Sequence, residues 1–164
     1  MRHVISVLME NEAGSLSRVV GLFSARGYNI ESLSVAPTDD DSLSRLTLVT
    51  RGSDQVIEQI IKQLNKLIEV VKVTNLSDYK HVEREMMLLK VEAKTADSIT
   101  SIKQVADIFR GKIIDLTNKT FTIELSGDGE KLNAFLQAMQ DQTIIEVVRS
   151  GCIGLARGSQ SLKV

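Results

Sequence analysis

The stretch Glu10-Asn11-Glu12-Ala13-Gly14-Ser15-Leu16 decides how the amino-terminal part of this sequence folds. It follows an alternating apolar run over residues 4–9, and it precedes a run over residues 16–23 whose apolar residues recur at helical spacing. Alternation is typical of a half-buried strand, whereas recurrence every three or four residues is typical of an amphipathic helix. The stretch is therefore predicted to form a tight turn between a first strand and a first helix.

The predicted turn leaves the first backbone N–H groups of a helix at the surface. Those groups have no partners within the helix, and the helix dipole is positive at that end. A small anionic group such as a carboxylate is therefore the expected ligand at this position. Gly14 lets the backbone approach the ligand closely, and the side-chain amides of Asn11 and Asn29 offer hydrogen bonds to its other polar atoms. We interpret the turn as a sensor site for a free amino acid rather than as a catalytic centre.

Residues 1–76 carry the order βαββαβ. Gly27 is predicted to end the first helix in the left-handed conformation. The apolar residues of the next strand, residues 28–36, change parity midway, which indicates a bulge. A third strand, a second helix from about Asp54 and a valine-rich fourth strand complete the order. Two helices on one face of a four-stranded antiparallel sheet make a ferredoxin-like domain.

Residues 77–164 repeat this pattern. An alternating strand is followed by a helix from about Ala96, a hairpin turned at residues 118–119, another helix and a last strand over residues 144–153. The tail from Gly154 contains glycine and serine and is predicted to be loose. The fold class is therefore α+β, with two ferredoxin-like βαββαβ domains.

The composition limits the kinds of partner. The chain has 164 residues and a net charge of −1, so it has no electrostatic footprint for nucleic acid. The single cysteine, Cys152, excludes an internal disulfide and suits a reducing compartment. No apolar run approaches the length of a membrane span, and the amino terminus does not follow the plan of a signal peptide. These features favour a cytoplasmic protein that binds neither nucleic acid nor membranes.

Six phrases occur in a fixed order between about Arg2 and Arg157. They are LMENEAGSLSR (residues 8–18), FSARGYNIESL (residues 23–33), VAPT (residues 35–38), HVERE (residues 81–85), IFRG (residues 108–111) and RSG (residues 149–151). Together they resemble the regulatory (small) subunit of acetolactate synthase, a family with an ACT domain at its amino terminus. A lone Asn-x-x-Gly after a strand is weak evidence, but the whole set in order is specific.

The resemblance implies a non-catalytic subunit that activates a thiamine-diphosphate-dependent catalytic large subunit. That partner condenses two pyruvates to 2-acetolactate and CO₂, or pyruvate with 2-oxobutyrate, at the head of branched-chain amino-acid biosynthesis. The resemblance also implies feedback inhibition by valine, bound where the ACT domains of two chains meet. Thiamine diphosphate, magnesium and FAD are then expected in the catalytic partner, and no cofactor is expected in this chain.

The resemblance also implies which residues bind the effector. The family's positions carry over to Asn11, Gly14, Ser15, Leu16, Asn29, Val35 and Ala36, and Ile30 belongs to the apolar wall of the kinked strand. Valine is expected to bridge a homodimer, with the 11–16 turn of one chain facing Asn29 and Val35 of the other. The exposed sheet edge of the first domain invites such pairing. Many members have Ser or Pro before the glycine; Ala13 here leaves the backbone donors in place.

Plain structural roles compete with the functional ones at these positions. Gly14 is compatible with an ordinary turn glycine, Asn11 with an Asx turn, and Asn29 with a strand start. Three successive aspartates, residues 39–41, are interpreted as a solvated hairpin loop rather than as a cation site.

Two other protein classes share the predicted fold. Acylphosphatase-like hydrolases use it with an arginine and an asparagine, but this sequence offers no Gly-rich phosphate loop, nucleophile–base pair or metal cluster. RRM modules use it to bind RNA through aromatic residues on the central strands, and the predicted third strand, Ser44–Arg51, has none. A regulatory subunit is therefore favoured. Its alternative is a stand-alone amino-acid-sensing ACT module that regulates another biosynthetic enzyme.

Overall fold

The computed structural model describes residues 1–163. Backbone contacts divide the chain into two compact units, and the first comprises Met1–Glu83 together with the segment that begins at Cys152. The second unit is Arg84–Gly151. The boundary predicted after residue 76 thus lies a few residues before the structural one, and the carboxyl-terminal segment joins the first unit rather than the second.

The first unit has the predicted ferredoxin-like order. Its elements are β1 (Arg2–Glu10), α1 (Ser15–Ala25), β2 (Ile30–Pro37), β3 (Leu43–Arg51), α2 (Asp54–Leu64) and β4 (Val70–Asn75), followed by one 3₁₀ turn (Leu76–Asp78). The four strands pair antiparallel in the order β2-β3-β1-β4. The prediction of an α+β fold with a four-stranded sheet is confirmed.

The core of the first unit lies between this sheet and its two helices. Successive side chains of a strand point to opposite faces, so every second residue of β1 and β3 enters the core. The buried members are Ile5, Val7, Met9, Val19, Phe23, Leu46, Leu48, Ile57, Ile60 and Leu64. Full burial of one such side chain stabilises the fold by about 1.5–3 kcal/mol, which fixes α1 and α2 on one face.

Two local predictions in the first unit are confirmed. Gly27, which follows the last residue of α1 and its cap residue Arg26, has a φ of +69°, the left-handed conformation expected of a glycine that ends a helix. The pairing of β2 with β3 shifts register between Ile30 and Ser32, where the parity change predicts a bulge. As a result, Leu33 packs against the core on the side of the helices.

The second unit repeats the same architecture. It comprises most of β5 (His81–Glu92), which starts in the first unit, and then α3 (Ala96–Ile108), β6 (Lys112–Leu116), β7 (Thr120–Gly127), α4 (Gly129–Ala138) and β8 (Ile144–Arg149). Its strands follow the order β6-β7-β5-β8, with β8 at one edge. A separate core forms around Leu89, Ile123 and Phe135. The second predicted domain is confirmed as ferredoxin-like.

The prediction of a loose tail from Gly154 is wrong. The chain turns at Gly151, which has a φ of +82°, and residues Ile153–Ala156 form a short strand, β9, that pairs with β5. The Arg45 guanidinium donates a hydrogen bond to the Gly154 carbonyl (2.9 Å). Further along, the Lys72 ammonium donates one to the Lys163 carbonyl (3.0 Å). The predicted last strand over residues 144–153 is therefore two strands, β8 and β9.

The reason for this ordered tail is an apolar surface on the second face of the first sheet. Alternation places part of β1 and β3 on that face, away from both helices. A small buried cluster forms there from Val4, Val49, Leu76 and Cys152. A Cβ atom at Gly154 would lie only 2.7 Å from the Leu76 side chain, so a glycine is needed at this close approach.

A charged cluster in the first unit ties the start of β1 to the start of β5. The Arg2 guanidinium donates two hydrogen bonds to the Glu83 carboxylate (3.0 and 2.7 Å). The same carboxylate meets His81 Nε2 (2.8 Å) and accepts from the Cys152 thiol (3.4 Å). The Arg2 hydrogen bonds lower the pKa of Glu83 to about 2. Burial and the facing carboxylate raise the pKa of Cys152 to about 12.

We predict that Glu83 stabilises the first unit at neutral pH and loses this role in acid. Its pKa falls from 4.5 to about 2 on folding, so its contribution is present above pH 4.5 and disappears as the pH falls toward 2. Glu83→Gln should lower the free energy of unfolding at pH 7 by about 1–2 kcal/mol, a value reduced for solvent screening.

Urea unfolding at pH 7 and pH 3 measures this difference. The chain has no tryptophan and two tyrosines, Tyr28 and Tyr79, so tyrosine fluorescence reports on the first unit alone. Glu58→Gln is the control, because Glu58 pairs with Lys62 on the exposed surface of α2 and such pairs contribute little. A gap between Glu83→Gln and the unaltered chain that is as large at pH 3 as at pH 7 would contradict the prediction.

Candidate functional site

The turn between β1 and α1 starts the helix without a side-chain cap. Gly14 occupies the cap position with a φ of +95° and a ψ of −17°, a left-handed conformation that side chains rarely adopt. An ideal Cβ built on Gly14 meets no heavy atom of the described residues within 4 Å. The glycine is therefore required by the backbone conformation, and the space beside it is open.

The first N–H groups of α1 remain available to a ligand. The Ser15 N–H donates a long hydrogen bond to the Glu12 carbonyl (3.3 Å), and the Arg18 N–H donates to the Gly14 carbonyl (3.0 Å). Within residues 1–163, the N–H groups of Leu16 and Ser17 have no acceptor. Because the helix dipole is positive at this end, the two free donors favour an anion.

The hydroxyl group of Ser15 is also without a partner. Ser15 is 97% buried, with 3% of its surface exposed, and its Oγ makes no hydrogen bond to any of residues 1–163. A buried hydroxyl without a partner costs free energy. A ligand atom beside this Oγ would remove the cost.

A cavity of about 210 Å³ opens beside this turn. Its lining consists of the end of β1, the turn, the start of α1, the end of β2 and one residue of β3: Met9, Glu10, Asn11, Glu12, Ser15, Leu16, Val35, Ala36, Pro37 and Ser44. Pockets for drug-sized ligands are about 300–1,000 Å³. This cavity therefore matches a small metabolite.

Five of the eight predicted site residues line this cavity within one chain. They are Asn11, Ser15, Leu16, Val35 and Ala36. A sixth, Gly14, sets the conformation of the turn without lining the cavity.

Asn29 and Ile30 lie elsewhere. Both are at the other end of β2. At 3.3 Å per residue of extended strand, Asn29 lies about 20 Å and Ile30 about 17 Å from Val35. The Asn29 carbonyl accepts a hydrogen bond from the Thr50 hydroxyl (2.7 Å), and Ile30 packs against the core of the first unit. One chain alone does not bring these two residues to the cavity.

Asn11 has a structural role that differs from the Asx turn. Its side-chain amide donates to the Asp41 carbonyl (2.9 Å), and its backbone N–H donates to the Ser42 carbonyl (2.7 Å). These bonds hold the loop between β2 and β3 against the site. In that loop, the Ser42 hydroxyl and N–H donate to Asp40 and lower the pKa of its carboxyl. The Asp40 carboxylate therefore stabilises the loop.

Two acidic residues of the cavity were not among the predicted site residues. Glu10 and Glu12 line it on either side of Asn11. Both lie in the stretch of residues 10–16 that was predicted to bind an anion. Carboxylates beside an anion site favour the ammonium group of a zwitterion, and this is the signal that identifies them. Arg18 and Glu69 form an ion pair, and the Glu69 carbonyl accepts from the Glu10 N–H (2.8 Å). These contacts brace the start of α1 against the end of β1.

Several other kinds of site lack support in the described part of the chain. Residues 1–163 contain no group of three His, Cys, Asp or Glu side chains placed to hold a metal ion. None of the helices they form is both long and apolar enough to cross a membrane. The sheet face that RRM modules use for RNA is partly covered here by the segment from Cys152.

Comparison with known proteins gives the same assignment for both halves of the chain. The family described as "AHAS small subunit-like ACT domain" matches residues 5–72, and "Small subunit of acetolactate synthase" matches residues 84–158.

Close relatives extend over the whole sequence. The acetolactate synthase small subunit of Haemophilus influenzae is 55% identical over 99% of both chains. The isozyme 3 small subunit of Escherichia coli is 52% identical over 99% of this chain and 100% of its own length. The crystal structure of the acetolactate synthase small subunit from Thermotoga maritima superposes with a TM-score of 0.88 at 39% identity, covering 98% of this chain and 99% of that one. The chain therefore belongs to the family of acetolactate synthase small subunits, with an ACT domain in its amino-terminal half.

Proposed function

We propose that this chain is a non-catalytic regulatory subunit that activates the catalytic large subunit of acetolactate synthase and transmits feedback inhibition by valine. The large subunit would carry thiamine diphosphate, magnesium and FAD. The proposal connects membership of the family with the cavity at the start of α1. It places the chain in branched-chain amino-acid biosynthesis. A cytoplasmic location remains a prediction that rests on the use of a single cysteine.

The observation that carries the proposal is the set of unpaired donors at the start of α1, where Ser15 and Leu16 line the cavity. The N–H groups of Leu16 and Ser17 and the buried Oγ of Ser15 have no partner among residues 1–163. A carboxylate offers two oxygen atoms with several lone pairs, which matches this group of donors. Charge-assisted hydrogen bonds of this kind are the stronger ones. A free amino acid therefore satisfies groups that the protein leaves unsatisfied.

The remaining lining suits the rest of valine. The carboxylates of Glu10 and Glu12 favour an ammonium group, whereas Met9, Leu16 and Val35 provide apolar surface for a short aliphatic side chain. One methylene in an apolar pocket changes affinity by only about 1–3 kcal/mol. We therefore expect leucine and isoleucine to bind more weakly than valine without being excluded, and serine to bind worst.

Dimer formation would complete the site. β2 is an edge strand of the first sheet, so its outer backbone groups are open to a second chain. If two copies of β2 pair antiparallel about a two-fold axis at Ser32, the partner's Asn29 lies opposite Val35. That arrangement brings the distant end of β2 to the cavity of the other chain, and it supports the expectation that valine bridges two subunits.

Inhibition can only follow from differential affinity. The assembly with the catalytic subunit must have two states, and valine must bind one of them more tightly than the other. The ratio of the two affinities sets how far valine can shift the equilibrium between the states. The turn and the loop around Asp41 are joined through Asn11. A ligand that reorganises the turn therefore also acts on the β2–β3 loop.

The proposal is tested by adding this chain to a thiamine-diphosphate-dependent acetolactate synthase large subunit and titrating valine against acetolactate formation. We predict activation without valine, inhibition by valine and little response to serine. In Gly14→Asp, the added carboxylate repels that of valine, so we expect inhibition to be lost. Gly14→Asn imposes the same backbone strain without the charge, and should keep inhibition at a raised valine concentration.

Two results would contradict the proposal. An unaltered chain that leaves the large subunit neither activated nor sensitive to valine would overturn the assignment as a regulator. Inhibition of Gly14→Asp at the same valine concentration as Gly14→Asn would place the effector elsewhere. Circular dichroism of both variants shows whether the first unit is still folded.

A complementation experiment tests whether one site uses two chains. Gly14→Asp blocks the turn that one chain contributes to the site, and Asn29→Ala removes the side-chain amide that the partner contributes. In a dimer of either variant both sites are defective, so each variant alone should bind valine poorly. A mixed dimer of the two variants contains one site with both defects and one intact site. We therefore predict that refolding the two variants together restores valine binding, measured by calorimetry. If mixing restores nothing although mixed dimers form, the site lies within one chain.

A further inference from the structure

The edge strand β8 of the second unit is unusually exposed and apolar. All six of its residues, Ile144–Arg149, are exposed to solvent, although four of them are isoleucine or valine. Val147 has 40% of its surface exposed and Val148 has 53%. Edge strands normally carry features that prevent pairing with another chain, such as free charges, proline or a strong bulge. β8 has no proline, and its pairing with β5 shifts register once, at Ile145, which leaves residues 146–149 in regular register. An edge of this composition invites a partner strand.

The two charged residues of β8 are not free to prevent it from pairing with another chain. The Glu146 carboxylate pairs with Lys90 on the neighbouring strand (3.5 Å). The Arg149 guanidinium donates two hydrogen bonds to Glu85 (3.1 and 2.8 Å) and one to Asn133 (2.9 Å). Both charges are thus engaged within the second unit.

The opposite edge of the same sheet is different. β6 carries Lys112 and Asp115, and neither forms an ion pair with another of residues 1–163. Free charges on an edge strand discourage pairing. Of the two edges, β8 is therefore the one that lacks this protection.

The hydrogen-bond pattern shows which backbone groups of β8 face outward. The Ser150 N–H donates inward to the Met86 carbonyl (3.0 Å). In an antiparallel ladder, inward and outward backbone groups alternate by residue. Val148 and Glu146, which lie opposite Leu88 and Lys90, therefore bond inward. The N–H and C=O of Val147 and Arg149 point away from the sheet.

We propose that β8 pairs antiparallel with β8 of a second copy of this chain, about a two-fold axis at Val147. The two Val147 residues then exchange backbone hydrogen bonds, and the second unit becomes half of a continuous eight-stranded sheet. A two-fold interface uses the same patch on both subunits, so the patch must be self-complementary.

The sequence of β8 meets this requirement. With Val147 opposite its own copy, Glu146 faces the partner's Val148, and Ile145 faces the partner's Arg149. No like charges lie opposite one another, which would destabilise a strand pair. Only the aliphatic Val147 faces itself. A second copy thus satisfies the outward backbone groups and covers the aliphatic side chains at once. This pairing is independent of the valine site in the first unit.

Cysteine cross-linking tests the proposal. Opposed residues of a hydrogen-bonded antiparallel pair have Cα atoms about 5.5 Å apart, within the range that a disulfide spans. In the full-length chain, Val147→Cys should form a disulfide-linked dimer of twice 18.1 kDa under copper–phenanthroline and air. We expect at least tenfold faster cross-linking than in the control.

Ile144→Cys is the matched control. Ile144 lies on the same strand with 37% of its surface exposed, close to the 40% of Val147. In the proposed register it lies about 20 Å from its own copy, six residues along the strand. The native Cys152 is buried, and burial raises its pKa to about 12, so the unaltered chain should give little background.

Two outcomes would overturn this pairing. One is a Val147→Cys protein, folded by circular dichroism, that cross-links no faster than Ile144→Cys. The other is protection of Val147→Cys from maleimide by the catalytic large subunit without self-cross-linking, which would assign the edge to a different partner. Neither result depends on valine inhibition.

Discussion

The proposed effector site depends on one structural constraint, a helix that begins without a side-chain cap. The chain enters α1 through Gly14 in a left-handed conformation, and the first turn of the helix carries no acidic residue. Asp, Ser or Thr side chains normally satisfy the first N–H groups of a helix. Here the N–H groups of Leu16 and Ser17, with the buried Ser15 hydroxyl, have no partner among residues 1–163. The positive end of the helix dipole is therefore available to an anionic ligand from solution.

The rest of the first unit holds this helix start in place. The sheet and its core fix the axis of α1, the Arg18–Glu69 pair braces its first turn, and Asn11 fastens the neighbouring loop. The segment from Cys152 covers the second face of the same sheet. Because β2 runs from the cavity to Asn29 along an open edge of the first sheet, the strand that forms one wall of the site is also available to pair with a second chain.

Local sequence predicted much of this arrangement. The turn, the role of Gly27 and the bulge in β2 follow from neighbouring residues, so they are visible in the pattern. The ordered tail was not visible, because it depends on contacts such as that between Arg45 and Gly154, which are 109 residues apart. Five cavity residues were identified, yet Glu10 and Glu12 were missed because acidic residues in a turn usually contact only solvent. Whether Asn29 belongs to the site depends on a second chain, and no single-chain pattern contains that information.

The most direct test compares valine with valinamide by calorimetry on the purified chain. The two compounds share the ammonium group and the side chain, but valinamide lacks the carboxylate that the start of α1 is proposed to bind. We predict measurable binding of valine and a loss of at least tenfold in affinity for valinamide. Equal affinity for the two compounds would show that the helix start does not recognise the carboxylate, and it would contradict the central claim.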